Sequence, residues 1–376
     1  MGINEDLGQY SELFMLLAAL TYLVAFGAFA WDMAASSKKL AAINHRVVTQ
    51  SNAAADGTAH PNAATTSTAE TAETAQAKLP AMAGTSSHEG LTGPEDRVAR
   101  STSDSTGNRS SDSVADESMH YTKERRTAAR IGVAVTTLAF VVHLAAVLSR
   151  GIAANRVPWG NMYEFATTGA LVVAGVFLLV LTRRDLRFLG TFVIGLVLIM
   201  LTAATIGIPT PVGNLVPALQ SYWLIIHVSI AVTASALFTL TFAMSVLQLL
   251  QTRREAALTN GGSPGMSFMR RIPDALSLEN LAYRINAVAF ILWTFTLMAG
   301  AIWAEEAWGR YWGWDTKEVW TFVIWVIFAA YMHARATRGW TGTRAAWLCI
   351  VGYLCIIFNF AIVNVYFSGL HSYSGL

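Results

Sequence analysis

Charged side chains are scarce in this chain of 376 residues. Asp, Glu, Lys and Arg together make up 13% of it, which is about half of the roughly 25% that soluble domains carry. Hydrophobic residues make up 54%, and apolar runs of about 18 residues or more recur, long enough to cross a bilayer as helices. The composition therefore excludes a soluble globular protein and predicts one that crosses a membrane several times.

Cysteine is almost absent as well. The two cysteines, Cys349 and Cys355, both lie inside the last apolar run, and we interpret them as buried apolar side chains rather than a redox pair or a metal site. The net charge of +2 comes without a basic patch on a soluble fold, so we expect no nucleic-acid partner. The first charges, Glu5 and Asp6, are acidic, unlike the basic start of a cleaved signal peptide.

Eight apolar runs predict an all-α polytopic membrane protein with about eight transmembrane helices. These runs are Leu13–Trp31, Ile131–Leu148, Ala166–Leu181, Phe188–Ile206, Tyr222–Leu249, Ile285–Ile302, Val319–Met332 and Ala345–Tyr366. Most Lys and Arg residues lie in alternate connections, which the positive-inside rule assigns to the cytoplasm. Both termini and the tryptophan-rich connection before the seventh run are therefore predicted to be extracytoplasmic.

Three regions are predicted along the chain. Residues 1–35 hold the first transmembrane helix, and residues 127–376 form a seven-helix domain. Residues 36–126, between them, are rich in Ala, Thr and Ser and carry few large apolar side chains. Such a segment buries too little apolar surface to offset the entropy lost on ordering. We therefore predict that it is a disordered cytoplasmic linker.

Residues 303–320 are rich in tryptophan and are predicted to form a loop between two spans. The run contains five tryptophans, which are Trp303, Trp308, Trp312, Trp314 and Trp320. One or two tryptophans at a membrane surface are an ordinary aromatic belt. Five at this density favour a binding platform, because indole faces offer large rigid surfaces to a flat ligand.

Two histidines are predicted to return to the level of this loop. His227 lies about one turn inside an inward-running span, and His371 follows the last, outward-running one. Two imidazoles meeting across a flat cleft are what six-coordinate haem iron requires. The alternative for each is a helix-end histidine hydrogen-bonded to a neighbour. His143, in the second span, has no obvious partner.

His333 is predicted to lie at the inner end of its span, about 20 Å from the other two histidines along the helix. An ionisable residue inside a span is a functional candidate. His333 also fits a simpler role, in which its side chain extends to the cytoplasmic surface beside Arg335.

Charged residues of both signs accompany the predicted outer site. Four cations are assigned to that side: Arg150, Arg156, Arg310 and Lys317. Such cations suit carboxylates, Arg through its planar fork, and haem propionates are the obvious carboxylates. Asp315 and Glu318 fit two roles, since they either pair with these cations or cap the next helix, whose N-terminal dipole favours acids.

The tryptophan run, with Trp-Gly-Trp-Asp at its core, resembles the WWD signature of haem-handling proteins in cytochrome c maturation. Within that group it resembles the CcsA (ResC) family, called CcsB in some bacteria, the membrane subunit of the system II cytochrome c synthase. The resemblance covers about residues 130–376. Its matching segments are Arg150 to Glu164, Leu215–Ser221 with His227, Tyr283–Arg284, Trp303–Trp320, His333 with Arg335, and Gly369–Tyr373. Thr316 departs from the family pattern, in which proline is common at that position.

The resemblance implies a function in c-type cytochrome biogenesis. It implies that His227 and His371 ligate haem b on the extracytoplasmic side. It also implies that His333 binds haem crossing the membrane, with a second ligand from a CcsB/ResB (Ccs1)-type subunit. The five tryptophans, Arg310 and Asp315 are further candidate haem-binding residues, and no catalytic side chain is identified. Haem would be joined by thioether bonds to the Cys-x-x-Cys-His motif of apocytochrome c, at the bacterial plasma membrane or a thylakoid membrane.

Two other functions remain open from the sequence. A haem transporter or chaperone without synthase activity of its own would need the same outer site. A transporter of ions or small molecules with an aromatic belt would carry buried charges near the bilayer centre, and the spans contain almost none.

Overall fold

The computed structural model describes residues 3–57, 119, 126–261, 266–337 and 339–371. Among these, residues 3–40, 119 and those from 126 onward belong to one compact unit. The long helices are α1 (Glu5–Gly57), α2 (Thr127–Ala154), α3 (Met162–Leu181), α4 (Gly190–Thr202), α5 (Tyr222–Thr259), α6 (Ala275–Trp308), α7 (Thr316–Ala336) and α8 (Thr343–Ile357). The short helix α9 (Val363–Tyr366) follows α8.

Eight segments are long and apolar enough to cross a membrane, and the described residues contain no β-strand. The prediction of an all-α polytopic membrane protein is therefore confirmed. The helices extend beyond the predicted apolar runs: α5 continues to Thr259, and α6 begins at Ala275. Hydropathy reports only the length inside hydrocarbon, whereas capping residues such as Asp274, which accepts a hydrogen bond from the Ser277 backbone, set the helix ends.

Residues 36–57, the first part of the predicted linker, are helical, because α1 continues to Gly57. That part contains five alanines, and it has no glycine or proline before Gly57. The remainder of the predicted linker lies almost wholly outside the described residues, so its disorder stays a prediction.

Two apolar cores hold the spanning helices together. One contains residues of α1 through α6 and includes Phe29, whose ring lies against Gly132 and Gly190, where a Cβ would come within 3.0 Å of it or closer. The other joins α5 to α8 and contains Phe238 stacked on Phe328 at 3.8 Å between ring centroids. Helix α5 contacts α3, α6 and α8, so it belongs to both cores. These contacts hold its N-terminal turns in place.

Helices α4 and α8 both end in a π-helical turn. Ala203–Gly207 closes α4 just before Pro209, beyond which a helix cannot continue. Phe358–Ile362 joins α8 to α9, and in it Asn359 donates to Thr321 Oγ1 of α7 at 3.2 Å. Such turns are often found at functional sites. Here the second one leads the chain into the tail that carries His371.

Candidate functional site

The tryptophan run is divided among three elements. Helix α6 continues to Trp308 and ends on Gly309, whose φ of 70° is the left-handed C-cap conformation. Helix α7 begins at Thr316, so only residues 309–315 form a loop. The prediction of a loop over all of 303–320 is therefore wrong. Its physical reason is local: Asp315 and Glu318 form a capping box that starts α7 early.

The loop is held by its own side chains. The Glu318 carboxylate accepts hydrogen bonds from the backbone of Gly313 at 2.8 Å and of Asp315 at 3.0 Å. Trp314 takes a positive φ of 59°, a conformation that is uncommon for a residue with a side chain. These contacts fix the start of α7, and with it Asp315, in one position.

His227 and His371 both lie against the indole of Trp303. His227 is nearly parallel to it, with 5.9 Å between ring centroids, and His371 meets it edge to face at 5.5 Å. The two imidazole centroids therefore lie no more than 11.4 Å apart, a bound set by their shared neighbour Trp303. Trp308 completes the group, 4.8 Å from His371. The structure thus brings together two histidines that are far apart in the sequence.

The His227 ring is seated on the backbone of α6. Its Nδ1 donates to the carbonyl oxygen of Thr296 at 2.9 Å, which leaves Nε2 as the other ring nitrogen. A Cβ at Gly300 would lie only 2.7 Å from His227 Cε1. Glycine at position 300 is therefore what allows the imidazole to approach this close to α6.

His371 is oriented by a carboxylate. Its Nδ1 donates to Asp315 Oδ2 at 2.7 Å, and the backbone of Leu370 donates to Asp315 Oδ1 at 3.0 Å. A Cβ at Gly369 would overlap Asp315 Oδ1. The hydrogen bond from His371 holds the pKa of the Asp315 carboxyl below its usual value, so the carboxylate is ionised at neutral pH. Asp315 is thus a positioning residue for His371.

The chemistry of this pair suits an iron that brings its own equatorial ligands. Histidines that ligate metals almost always donate their second ring N–H to a carbonyl or carboxylate, and His227 and His371 both do so through Nδ1. No cluster of three or more His, Cys, Asp or Glu side chains that would hold a bare metal ion occurs among the described residues. Two imidazoles are sufficient for a metalloporphyrin.

The other three tryptophans make their ring contacts elsewhere. Trp312 and Trp314 meet edge to face at 5.8 Å, and both are exposed. Trp320 packs on Phe358 at 4.4 Å. Only Trp303 and Trp308 of the predicted platform therefore stand beside the two histidines.

Arg310, another predicted site residue, is held within the loop. Its guanidinium lies 3.5 Å from the Glu318 carboxylate, 6.0 Å from the ring of Trp308, and over Gly313, where a Cβ would overlap it. It therefore stands next to the Trp308 side of the histidine pair with a carboxylate partner already in place.

Glu164 is a central residue that the sequence reasoning left without a role. Its carboxylate, fully buried, accepts from Arg150 Nε at 3.0 Å and from Arg156 Nη1 at 2.7 Å. The same guanidinium groups donate to the carbonyl oxygens of Thr210 and Gly213. This network fixes the proline-containing loop before α5. The sequence pattern that could have identified Glu164 is the presence of one acid and two arginines within residues 150–164.

His333 and His143 lie away from the pair. His333 is exposed in the last turn of α7, about 27 Å along that helix from Asp315 at 1.5 Å per residue. His143 is fully buried on α2, with its ring edge to face with Tyr22 of α1 at 5.8 Å. His333 therefore lies at the other end of α7 from Asp315, and His143 packs against α1.

Comparisons with known proteins match the part of the chain that contains His227 and His371. The model of the family described as Cytochrome C assembly protein matches residues 159–371. A CcsA protein of Porphyra purpurea is 34% identical over 277 residues, covering 65% of this chain and 87% of its own length. CcsA proteins of Synechococcus elongatus and Guillardia theta are each 33% identical, covering 65% of this chain and 87% and 86% of their own lengths. The chain therefore belongs to the CcsA family of cytochrome c assembly proteins.

Proposed function

We propose that this chain acts in cytochrome c biogenesis by holding haem b between His227 and His371 and presenting it for covalent attachment to apocytochrome c. The observation that carries the proposal is the pair of imidazoles against Trp303, each with Nδ1 bonded to an oxygen acceptor. Membership of a family named for cytochrome c assembly supports the same function.

The orientation in the membrane is part of this proposal. Most Lys and Arg residues lie in the connections on the side of His333, which the positive-inside rule makes cytoplasmic. The site at His227 and His371 is then extracytoplasmic, as are both termini. The protein is placed in the bacterial plasma membrane, or in a thylakoid membrane if it comes from a plastid or a cyanobacterium.

His333 is proposed to bind haem during its passage across the membrane. Its imidazole is exposed on α7, and α7 has the smallest buried share of the eight spans, 17%. An exposed imidazole on an uncovered helix suits iron whose second axial ligand comes from another chain. We assign that ligand to a CcsB/ResB-type membrane subunit.

The reaction needs positioning more than it needs a reactive side chain. Each thiol of the Cys-x-x-Cys-His motif adds across one haem vinyl group: sulfur bonds to one vinyl carbon and hydrogen to the other. The addition is redox-neutral and has no leaving group. Holding the two reactants in register can remove about 7–11 kcal/mol of the barrier. The motif's own histidine then replaces one of the two axial imidazoles, which releases the product.

Co-expression tests this function against that of a haem chaperone. The full chain is expressed with an apocytochrome c reporter, with and without a CcsB/ResB-type subunit, and covalent haem is measured on the reporter after denaturation. We expect covalent attachment only when both subunits are present, with haem copurifying on this chain. Attachment by the partner alone would make this chain a chaperone, and attachment without haem on this chain would contradict the proposal.

His333→Ala is expected to reduce the haem content of the outer site without damaging the site itself. Haem that cannot be held near the inner surface does not reach His227 and His371, whereas externally supplied haem bypasses that step. The measurement is haem content and cytochrome maturation with and without added haem. Failure of added haem to restore maturation would contradict a passage through His333.

A further inference from the structure

Three of the four cations assigned to the outer side form ion pairs with described residues, and the fourth does not. Arg150 and Arg156 form ion pairs with the buried carboxylate of Glu164, and Arg310 forms one with Glu318. Lys317 contrasts with them. Its Nζ donates to the side-chain oxygen of Asn364, a neutral amide, and among the described residues it takes part in no ion pair.

Lys317 stands beside the proposed haem site. It is partly buried in the first turn of α7 and shares a small cavity with Asp315, Asn364, Gly369 and His371. Asp315 is the carboxylate of that cavity, but its oxygens already accept from His371 Nδ1 and from the backbone of Leu370 and of Lys317 itself. The ammonium group therefore lies next to a proposed axial ligand, near the Asp315 carboxylate but without a direct ion pair to it.

A partly buried ammonium group is stabilised most by a charged acceptor. The amide of Asn364 accepts from the ammonium but carries no negative charge to offset it, so it satisfies Lys317 only in part. A carboxylate entering the cavity from the side of His371 would find a cation that is already positioned and forms no ion pair with the described residues. Haem carries two such carboxylates, its propionates, on one edge of the ring.

We propose that Lys317 binds a haem propionate and so fixes the rotation of the porphyrin between His227 and His371. This inference rests on the proposed function. The two vinyl groups lie on the half of the porphyrin opposite the propionates. Anchoring the propionate edge in the cavity between α7 and α9 directs the vinyl groups away from it, so one lysine would decide which half of haem meets the apocytochrome thiols.

The test compares haem with its dimethyl ester, which keeps the iron, ring and vinyl groups but has no propionate charge. Both are titrated into the full chain, purified without haem, and binding is followed by the bis-imidazole absorption bands. The wild-type protein is expected to bind haem more tightly than the diester, by about 10-fold for one charged hydrogen bond. Lys317→Met is expected to lose most of this preference while its affinity for the diester is unchanged.

Matched variants make each outcome decisive. Lys317→Arg keeps the charge and is expected to keep part of the preference for haem. Arg130→Met is the control: it removes an exposed charge at the opposite end of α2 from Arg150, and it is expected to keep the whole preference. Loss of the preference in Arg310→Met but not in Lys317→Met would overturn the assignment. A wild-type protein that binds both compounds equally, with normal bis-imidazole bands, would overturn it and leave the proposed function intact. Absence of those bands with either compound would instead contradict the proposed function.

If Lys317→Met does not fold, Lys317→Gln replaces it. Unchanged affinity for the diester is the criterion that the site is intact. A Gln variant with an intact site and an undiminished preference for haem would refute the role of Lys317.

Discussion

Replacing both His227 and His371 with alanine is expected to abolish the bis-imidazole spectrum of haem bound to the purified protein and to stop cytochrome c maturation. Each imidazole supplies one axial nitrogen, and Trp303 alone offers the iron no ligand. Each single variant is expected to retain haem more weakly than the wild-type protein. Removing a group that only hydrogen-bonds to a metal ligand costs about 10–100-fold in metal affinity, so loss of a ligand itself should cost at least that.

Visible absorption spectra and haem-to-protein ratios of proteins from haem-replete cells measure this effect, and denaturing gels stained for haem measure maturation. Ile206→Ala, an exposed change at the end of α4, is the control for a nonspecific effect on the membrane protein. Unaltered bis-imidazole bands and undiminished maturation in the double variant would remove the ligand assignment.

Glu164→Ala is expected to lower the free energy of unfolding by about 3–5 kcal/mol, the usual cost of removing one partner of a buried ion pair. The change leaves two guanidinium groups, those of Arg150 and Arg156, without their carboxylate in a site where Arg150 is 1% exposed. The loop before α5 loses its fixed point as well. Thermal unfolding in detergent and the amount of protein in the membrane are the measurements.

Glu305→Ala is the matched control, since Glu305 is an exposed acid at the end of α6. Glu164→Gln, which keeps an oxygen acceptor for one arginine, is expected to fall between the two. Equal thermal stability of Glu164→Ala and Glu305→Ala would show that the network contributes little.

The number of spans was predictable because it depends on composition averaged over long windows. Apolar length near the bilayer thickness gives eight crossings whatever the side chains pack against. Helix ends depend instead on single residues at the interface, and so α6 reaches Trp308 and α7 starts at Thr316 inside the predicted loop. The extension of α1 to Gly57 depends on local helix propensity, which hydropathy does not measure.

The meeting of His227 and His371 was predictable because topology fixes the depth of a residue in the membrane. In a small helical bundle, two residues at the same depth in the membrane can be separated only by the width of the bundle. Their partners were less accessible. The choice between cap and ion pair for Asp315 required the position of the tail, which brings Leu370 and His371 to it. The split of the tryptophans into two at the histidines and three elsewhere depends on helix rotation, which the sequence does not determine.

Asp315 links α7 to the tail that carries His371. One carboxylate accepts from the backbone of Lys317 in α7 and from Leu370 and His371 in the tail. Withdrawal of the tail therefore also changes the capping of α7. Because α7 is a continuous rod from Thr316 to Ala336, a tilt imposed at His333 by a neighbouring chain moves Asp315 at the far end. A chain that docks at the His333 end of α7 would thereby change the orientation of the His371 imidazole at the other end of the helix.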